Sequence, residues 1–136
     1  MPGPLAGIRI VDLTTMASGP LATSILADQG ADVIKVEAPG KGDALRTIGP
    51  SRGGLSALFT SLNRNKRSIA IDLHQGAGVA LLDRLVAQAD VFVQNFRPGA
   101  VDRMGIGAER YRALHPDLVY VSISGFGERG PMVNRG

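Results

Sequence analysis

Apolar residues gather in five short runs along the chain, separated by stretches with helical spacing or turn residues. "IRIVDLT" (8–14), "ADVIKVE" (31–37), "SIAIDL" (68–73), "DVFVQNF" (90–96) and "LVYVSIS" (118–124) are rich in β-branched side chains and read as strands. They lack clean alternation with polar residues, the pattern of a parallel sheet covered on both faces. Between the first two runs, Leu21, Ala22, Ile25 and Leu26 recur at helical spacing. Ser18 is placed to cap that helix, Pro20 lies in its first turn and Gly30 stops it. Residues 76–89 put Val79, Leu82, Leu85, Val86 and Ala89 on one helical face. Residues 38–54 read as turn and loop, 55–63 as a short helix, and 100–104 and 107–114 as two more, the last ended by Pro116. Strand, helix and strand joined by short turns make βαβ units. The expected fold class is α/β, a Rossmann-like open, mostly parallel sheet with flanking helices.

That architecture says where to look for chemistry, because ligands of open α/β sheets bind outside the carboxyl ends of the strands. The stretches in those places are "TTMASGP", "EAPGKGDALR", "DLHQGAG", "QNFRPGAVDRMG" and "SGFGERG"; glycines recur, and three of the stretches carry Arg or Lys. Such a collection suits an extended ligand bearing phosphate. Gly125, Gly127 and Gly130 spell G-x-G-x-x-G, but they follow the fifth run rather than the first, and Pro131 adjoins the third glycine. A dinucleotide turn would sit in the first βα connection and open a helix. The stretch reads instead as a glycine turn that permits close backbone approach.

The first βα turn is the better phosphate candidate by position, since a helix start offers free N–H groups; as a capped helix start it needs no ligand. Arg64, Lys66 and Arg67 form a cation cluster ahead of the third run, either a solvated turn or a phosphate contact reaching a neighbouring loop. Asn95, Phe96, Arg97 and Arg103 follow the fourth run, where an aromatic face and guanidinium groups suit an adenine and its phosphates. His115 fits a helix C-cap, while His74 lies past a strand end, within reach of a ligand. Asp12, Asp32 and Asp90 sit at strand edges and read as structural. No histidine pair has metal-ligand spacing, so no metal is expected, and no nucleophile elbow is present.

Composition narrows the ligand. The net charge is +3, from 15 Lys and Arg against 12 Asp and Glu, and the excess is spread along the chain. With only 4 Phe and 2 Tyr, stacking surfaces for nucleic acid are scarce, which disfavours a nucleic-acid partner. A small anionic ligand fits better. The absence of Cys removes disulfides and thiolate chemistry and agrees with a reducing compartment. The start "MPGPLAG" lacks the features of a signal peptide and no run approaches a membrane span, so a soluble cytoplasmic protein is expected.

Taken together, "LAGIRIVDLT", "SGPLATSILADQGADVIKVEAPGKGDALR", "LFTSLNRNKRSIAIDL", "ADVFVQNFRPGAVDRMGIG" and "HPDLVYVSISGFGERGP" resemble the class III coenzyme A transferases. That family includes formyl-CoA transferase, carnitine and bile-acid CoA transferases and the related α-methylacyl-CoA racemases. The resemblance implies a Rossmann-like large domain with a smaller second domain, and two chains interlocked as a homodimer. It implies an enzyme acting on acyl-CoA and a small carboxylic acid, with coenzyme A as the bound group and an Asp carboxylate as nucleophile. In the racemase branch a His and an Asp exchange an α-proton instead. Residues 1–136 match the N-terminal part of the large domain, so the catalytic Asp and the second domain are expected outside them, and these residues alone are expected to be inactive. Carried over by position, the CoA contacts fall on Ala17, Ser18, Ile71, Asp72, Leu73, His74, Asn95, Phe96, Arg97 and Arg103. Formyl-CoA transferases have Gln where this chain has Ala17 and a basic residue where it has Ala38, which argues against oxalate or formate chemistry.

Overall fold

The computed structural model describes residues 3–133 and 135. Strand β1 (Arg9–Asp12) leads into helix α1 (Ser18–Asp28) and strand β2 (Asp32–Glu37). A 3₁₀ turn (Ala44–Thr47) and a two-residue hairpin, β3 (Ser51–Arg52) with β4 (Leu55–Ser56), precede α2 (Ala57–Leu62) and β5 (Lys66–Ala70). Then come α3 (Gly76–Val86), β6 (Val91–Gln94), α4 (Ala100–Arg103), α5 (Ala108–Leu114) and β7 (Val119–Ser122). The five long strands form one sheet in the order β5-β2-β1-β6-β7, and every pairing is parallel. The expected α/β architecture holds.

Successive residues of the central strands feed opposite faces, as strand geometry demands. Val11, Val36 and Phe92 enter a larger core with Leu82 and Val86 of α3 and Tyr111 of α5. Ile10, Val33 and Val93 enter a smaller one with Ala27 of α1. In the larger core Phe92 meets Tyr111 edge-on, centroids 5.2 Å apart, and Tyr120 at 4.9 Å. Such aromatic pairs contribute about 0.5–1.5 kcal/mol each beyond area burial. The Tyr120 hydroxyl donates to the Ile106 carbonyl at 3.0 Å, so burial there does not strand a polar group.

Three local expectations are corrected. Ser18 is the first residue of α1 rather than its cap, and the capping position, Ala17, supplies no side-chain bond. Pro20 has no N–H to give Ser18, and the Leu21 N–H goes to the Ala17 carbonyl at 2.9 Å. The third strand begins at Lys66 and ends at Ala70, so Ile71 to His74 lie beyond it. Its residues are half-buried or exposed apart from that register, because β5 is a sheet edge and only one face is covered. The loop expected before residue 55 contains the hairpin, and Ser56 rather than an earlier residue caps α2, accepting from the Phe59 N–H at 3.1 Å.

Candidate functional site

The chain leaves β1 toward β2 on one side and returns through β6 toward β7 on the other, so the topological switch point lies between β1 and β6. At that point the side-chain amide of Asn95 clasps the backbone of Thr15: Thr15 N–H donates to Asn95 Oδ1 at 2.9 Å, and Asn95 Nδ2 donates to the Thr15 carbonyl at 2.8 Å. The two loops that flank the crevice are thereby held together.

A cavity of about 550 Å³ opens here, walled by residues of the β1, β2, β5 and β6 exits. Its floor is apolar, from Leu13, Val36, Ile71, Phe96 and Met104, and its rim carries Asp72, His74 and Arg103. An apolar floor with a few charged groups at the edge suits a ligand with a flat ring and ionised substituents. Six of the ten expected contacts, Ile71, Asp72, Leu73, His74, Phe96 and Arg103, meet in this one cavity. Ser18, Asn95 and Arg97 line a neighbouring cleft of about 440 Å³, whose shared wall is Phe96. Ala17 is exposed and lines neither.

The His74 backbone N–H donates to Asp72 Oδ1 at 3.0 Å, a turn that bends the chain back after β5. Gly78 opens α3 so close to that turn that an added Cβ would sit 1.9 Å from the Asp72 carbonyl oxygen. Gly19 plays the same part beneath α1, where a Cβ would fall 2.3 Å from Cβ of Thr14. Arg103 ends α4 and is exposed, and among the described residues it has no carboxylate partner. The same holds for Arg97.

The cation cluster before β5 is not free in this way. Arg64 pairs with Asp28, and Arg67 pairs with Asp32 at 2.7 Å. Lys66 is buried against Asp12 at 3.0 Å, and its ammonium also donates to the Thr23 hydroxyl, the Asn63 side chain and the Pro20 carbonyl. Burial pushes the Lys66 ammonium below the ordinary lysine range, and the Asp12 carboxylate opposes that shift. The structure favours the structural reading of this cluster, since each cation already has an aspartate partner, Asp32 being shared between Arg67 and Arg9. Asp12 and Asp32 are structural, and Asp90 accepts the Arg9 backbone N–H at 2.8 Å.

The glycine loop after β7 opens no helix among the described residues. Gly127 (φ 82°) and Gly130 (φ 101°) occupy the left-handed region, and no atom crowds either Cβ position. Backbone conformation, rather than close approach, is what requires glycine there. His115 occupies the C-cap position of α5 through its backbone N–H, which donates to the Tyr111 carbonyl at 2.8 Å.

The sequence reading missed a polar network beneath the cavity. Lys35 and Asp43 are a buried ion pair at 2.9 Å, and Glu37 takes a bidentate bond from Arg46 at 2.8 and 2.7 Å. Ser68 and the Asp43 N–H complete the bonds to Glu37. Burial works to raise the Glu37 carboxyl, but these donors outweigh it and hold it at about 2. A signal was present: Lys35 and Glu37 interrupt a strand whose neighbours are apolar, and charges in a covered strand must be paired. Their partners, Asp43 and Arg46, lie in a loop with no periodicity to announce them.

The fold is an open, parallel α/β sheet with a cavity at its switch point, the place where ligands of such sheets bind. The model of CoA-transferase family III matches residues 5–136, and the chain belongs to that family. It is 47% identical over 133 residues to the human succinyl-CoA:glutarate CoA-transferase, covering 97% of this chain and 30% of that protein. It is 44% identical over 132 residues to the acetyl-CoA:oxalate CoA-transferase of Acetobacter aceti, covering 97% of this chain and 34% of that one. The crystal structure of a CAIB/BAIF family protein from Brucella suis superimposes with a TM-score of 0.94 at 43% identity, covering 100% of this chain and 37% of that chain. The chain thus spans about a third of the length of the curated relatives it matches. Among the described residues no helix is long and apolar enough to cross a membrane.

Proposed function

We propose that this chain supplies the coenzyme A-binding part of a CoA transferase that moves CoA between an acyl-CoA and a small carboxylic acid. One observation carries the reading: an exposed Arg103, without a carboxylate partner among the described residues, stands at the rim of a cavity whose floor includes the Phe96 ring. CoA ends in an adenine with three phosphates nearby, and an aromatic face beside a guanidinium matches both features. Arg97, on the other side of Phe96, offers a second cation along the path of an extended ligand. The names of the relatives support the same class, since each pairs a CoA thioester with a carboxylic acid.

In this reaction the residues present bind and orient. The carboxylates walling the cavity are Glu37, Asp43 and Asp72. Glu37 accepts hydrogen bonds on both oxygens, and Asp43 accepts them on Oδ1 while its Oδ2 is buried against the Lys35 ammonium, so neither is offered as the nucleophile. From the family resemblance we infer a nucleophilic carboxylate outside residues 1–136, in an enzyme that acts as a cytoplasmic homodimer.

The test is calorimetric titration of the purified 136-residue chain with CoA and with dephospho-CoA. CoA binds, and removing the 3′-phosphate weakens binding about tenfold, the scale of one charge-assisted contact. No measurable heat with either ligand at millimolar concentration overturns the proposal.

A further inference from the structure

Two loops wall the cavity on the β1 and β2 side, and one buried side chain joins them. Leaving β1, the chain turns through Thr14, Thr15 and Met16, and Met16 takes φ 64°, a left-handed conformation disfavoured by its Cβ. Side chains from separate strands and loops hold this turn. The Thr14 N–H donates to Asp12 Oδ1 at 2.8 Å, and the Thr14 carbonyl accepts from Lys35 Nζ at 2.8 Å. Asn95 clasps Thr15 from the β6 side. The Met16 N–H donates to Asp43 Oδ1 at 3.1 Å.

Asp43 belongs to the other wall. Its own N–H donates to Glu37 Oε2 at 2.9 Å, its Oδ1 also accepts from the Leu45 N–H at 3.0 Å, and its Oδ2 faces Lys35. The Lys35 and Asp43 side chains are 1% and 0% exposed, so the pair is withdrawn from water altogether. A buried ion pair is a weak source of net stability, because desolvation offsets most of the attraction. Its geometric effect is large: Lys35 touches the first loop at Thr14, and Asp43 touches it at Met16 while anchored in the second.

We propose that Asp43 is a positioning residue whose Oδ1 locks the β1–α1 loop to the loop after β2, setting the width of the cavity before any ligand enters. The inference rests on the CoA reading of that cavity. A pre-set wall spares the ligand the entropy of ordering it, so the lock acts on affinity through preorganisation.

The test compares two double variants, each free of an orphan charge. Lys35→Met with Asp43→Asn removes the ion pair but keeps an oxygen for the Met16 and Leu45 N–H groups. Lys35→Met with Asp43→Ala removes both. CoA affinity by calorimetry stays within about threefold of the parent in the first and falls at least about tenfold in the second. Equal CoA affinity in the Ala pair and the parent overturns the proposal, and so does an equal loss in both pairs.

A measurement on the unsubstituted chain covers the case in which the variants do not fold. Amide hydrogen exchange at Met16 and Leu45, whose N–H groups donate to Asp43 Oδ1, is read by NMR without ligand and shows protection. Unprotected amides that become protected only on adding CoA overturn the lock. Should the unsubstituted chain fail to bind CoA while these amides are protected, the CoA reading falls and the lock stands.

Discussion

Two short stretches, 63–68 and 95–103, are both polar, both rich in cations and both adjoin a strand, yet their charges have opposite fates. In the first, Arg64, Lys66 and Arg67 are each paired with an aspartate. In the second, Arg97 and Arg103 have no carboxylate partner among the described residues and face cavities. Strand polarity explains the difference. Register sets Lys66 beside Val33 and Arg67 beside Ile34, at the amino end of β2, where Asp32 collects Arg67 and Arg9. Asn95 to Arg103 follow the carboxyl end of β6, where the helices turn away and leave a crevice. Between these two stretches the fate of a cation follows the end of the sheet it occupies, whereas Lys35 and Arg46, at the carboxyl end of β2, are paired because Asp43 and Glu37 lie within reach.

The largest consequence of that contrast is at Lys66. Replacing it with Met leaves the Asp12 carboxylate buried without its cation, which costs about 3–5 kcal/mol. Urea unfolding of the Lys66→Met variant measures this, and a loss below about 1 kcal/mol would show the pair to be dispensable. Glu37 comes next, and its effect is tied to pH. Its carboxyl is held at about 2 instead of an ordinary 4.5. The folded value is depressed, so the stabilisation is complete above the unfolded value and fades as pH falls through the folded one. The shift corresponds to about 3 kcal/mol. The stability of the parent is therefore expected to fall by about that amount between roughly pH 5 and pH 2, relative to the Glu37→Gln variant. Parallel acid profiles for the two proteins would refute the assignment.

Arg103 belongs to the other side of the comparison. Arg103→Ala should change unfolding free energy by less than about 0.5 kcal/mol, as for an unpaired surface residue. The same change should weaken CoA about tenfold and abolish the preference for CoA over dephospho-CoA. Stability and affinity thus separate in opposite directions at Lys66 and Arg103. A destabilised Arg103 variant with unchanged affinity would erase the distinction between the two stretches.

Which features were legible in the sequence follows from how locally each is determined. The five apolar runs encode their own period, and the sheet with its carboxyl-end crevice follows from them. Phe96 and Arg103 were expected near the crevice because both follow the fourth run, and the structure sets both on the cavity wall. The pairing of Lys66 with Asp12 was not, since the two lie 54 residues apart and meet only through strand register. Asp43 was illegible for a related reason: it looks like one more polar loop residue until β2 delivers Lys35 beside it. Ser18 misled because its capping pattern is sound locally, and only the Pro20 nitrogen and the Ala17 carbonyl decide otherwise.

The smallest expected effect is at Arg67, and it tests the comparison most closely. Arg67 is 63% exposed at its side chain and Asp32 is 37% exposed, so water screens their contact. Asp32 also keeps Arg9 at 3.1 Å when Arg67 is removed, which leaves no orphan charge. Arg67→Ala is therefore expected to cost ~0.5 kcal/mol or less at low salt and nothing measurable near 1 M, where screening reaches about 3 Å. Urea unfolding at the two salt concentrations measures it, and CoA affinity should not move. A tenfold loss of CoA affinity in Arg67→Ala would place the first stretch in the ligand site after all, and the division between the two stretches would fail.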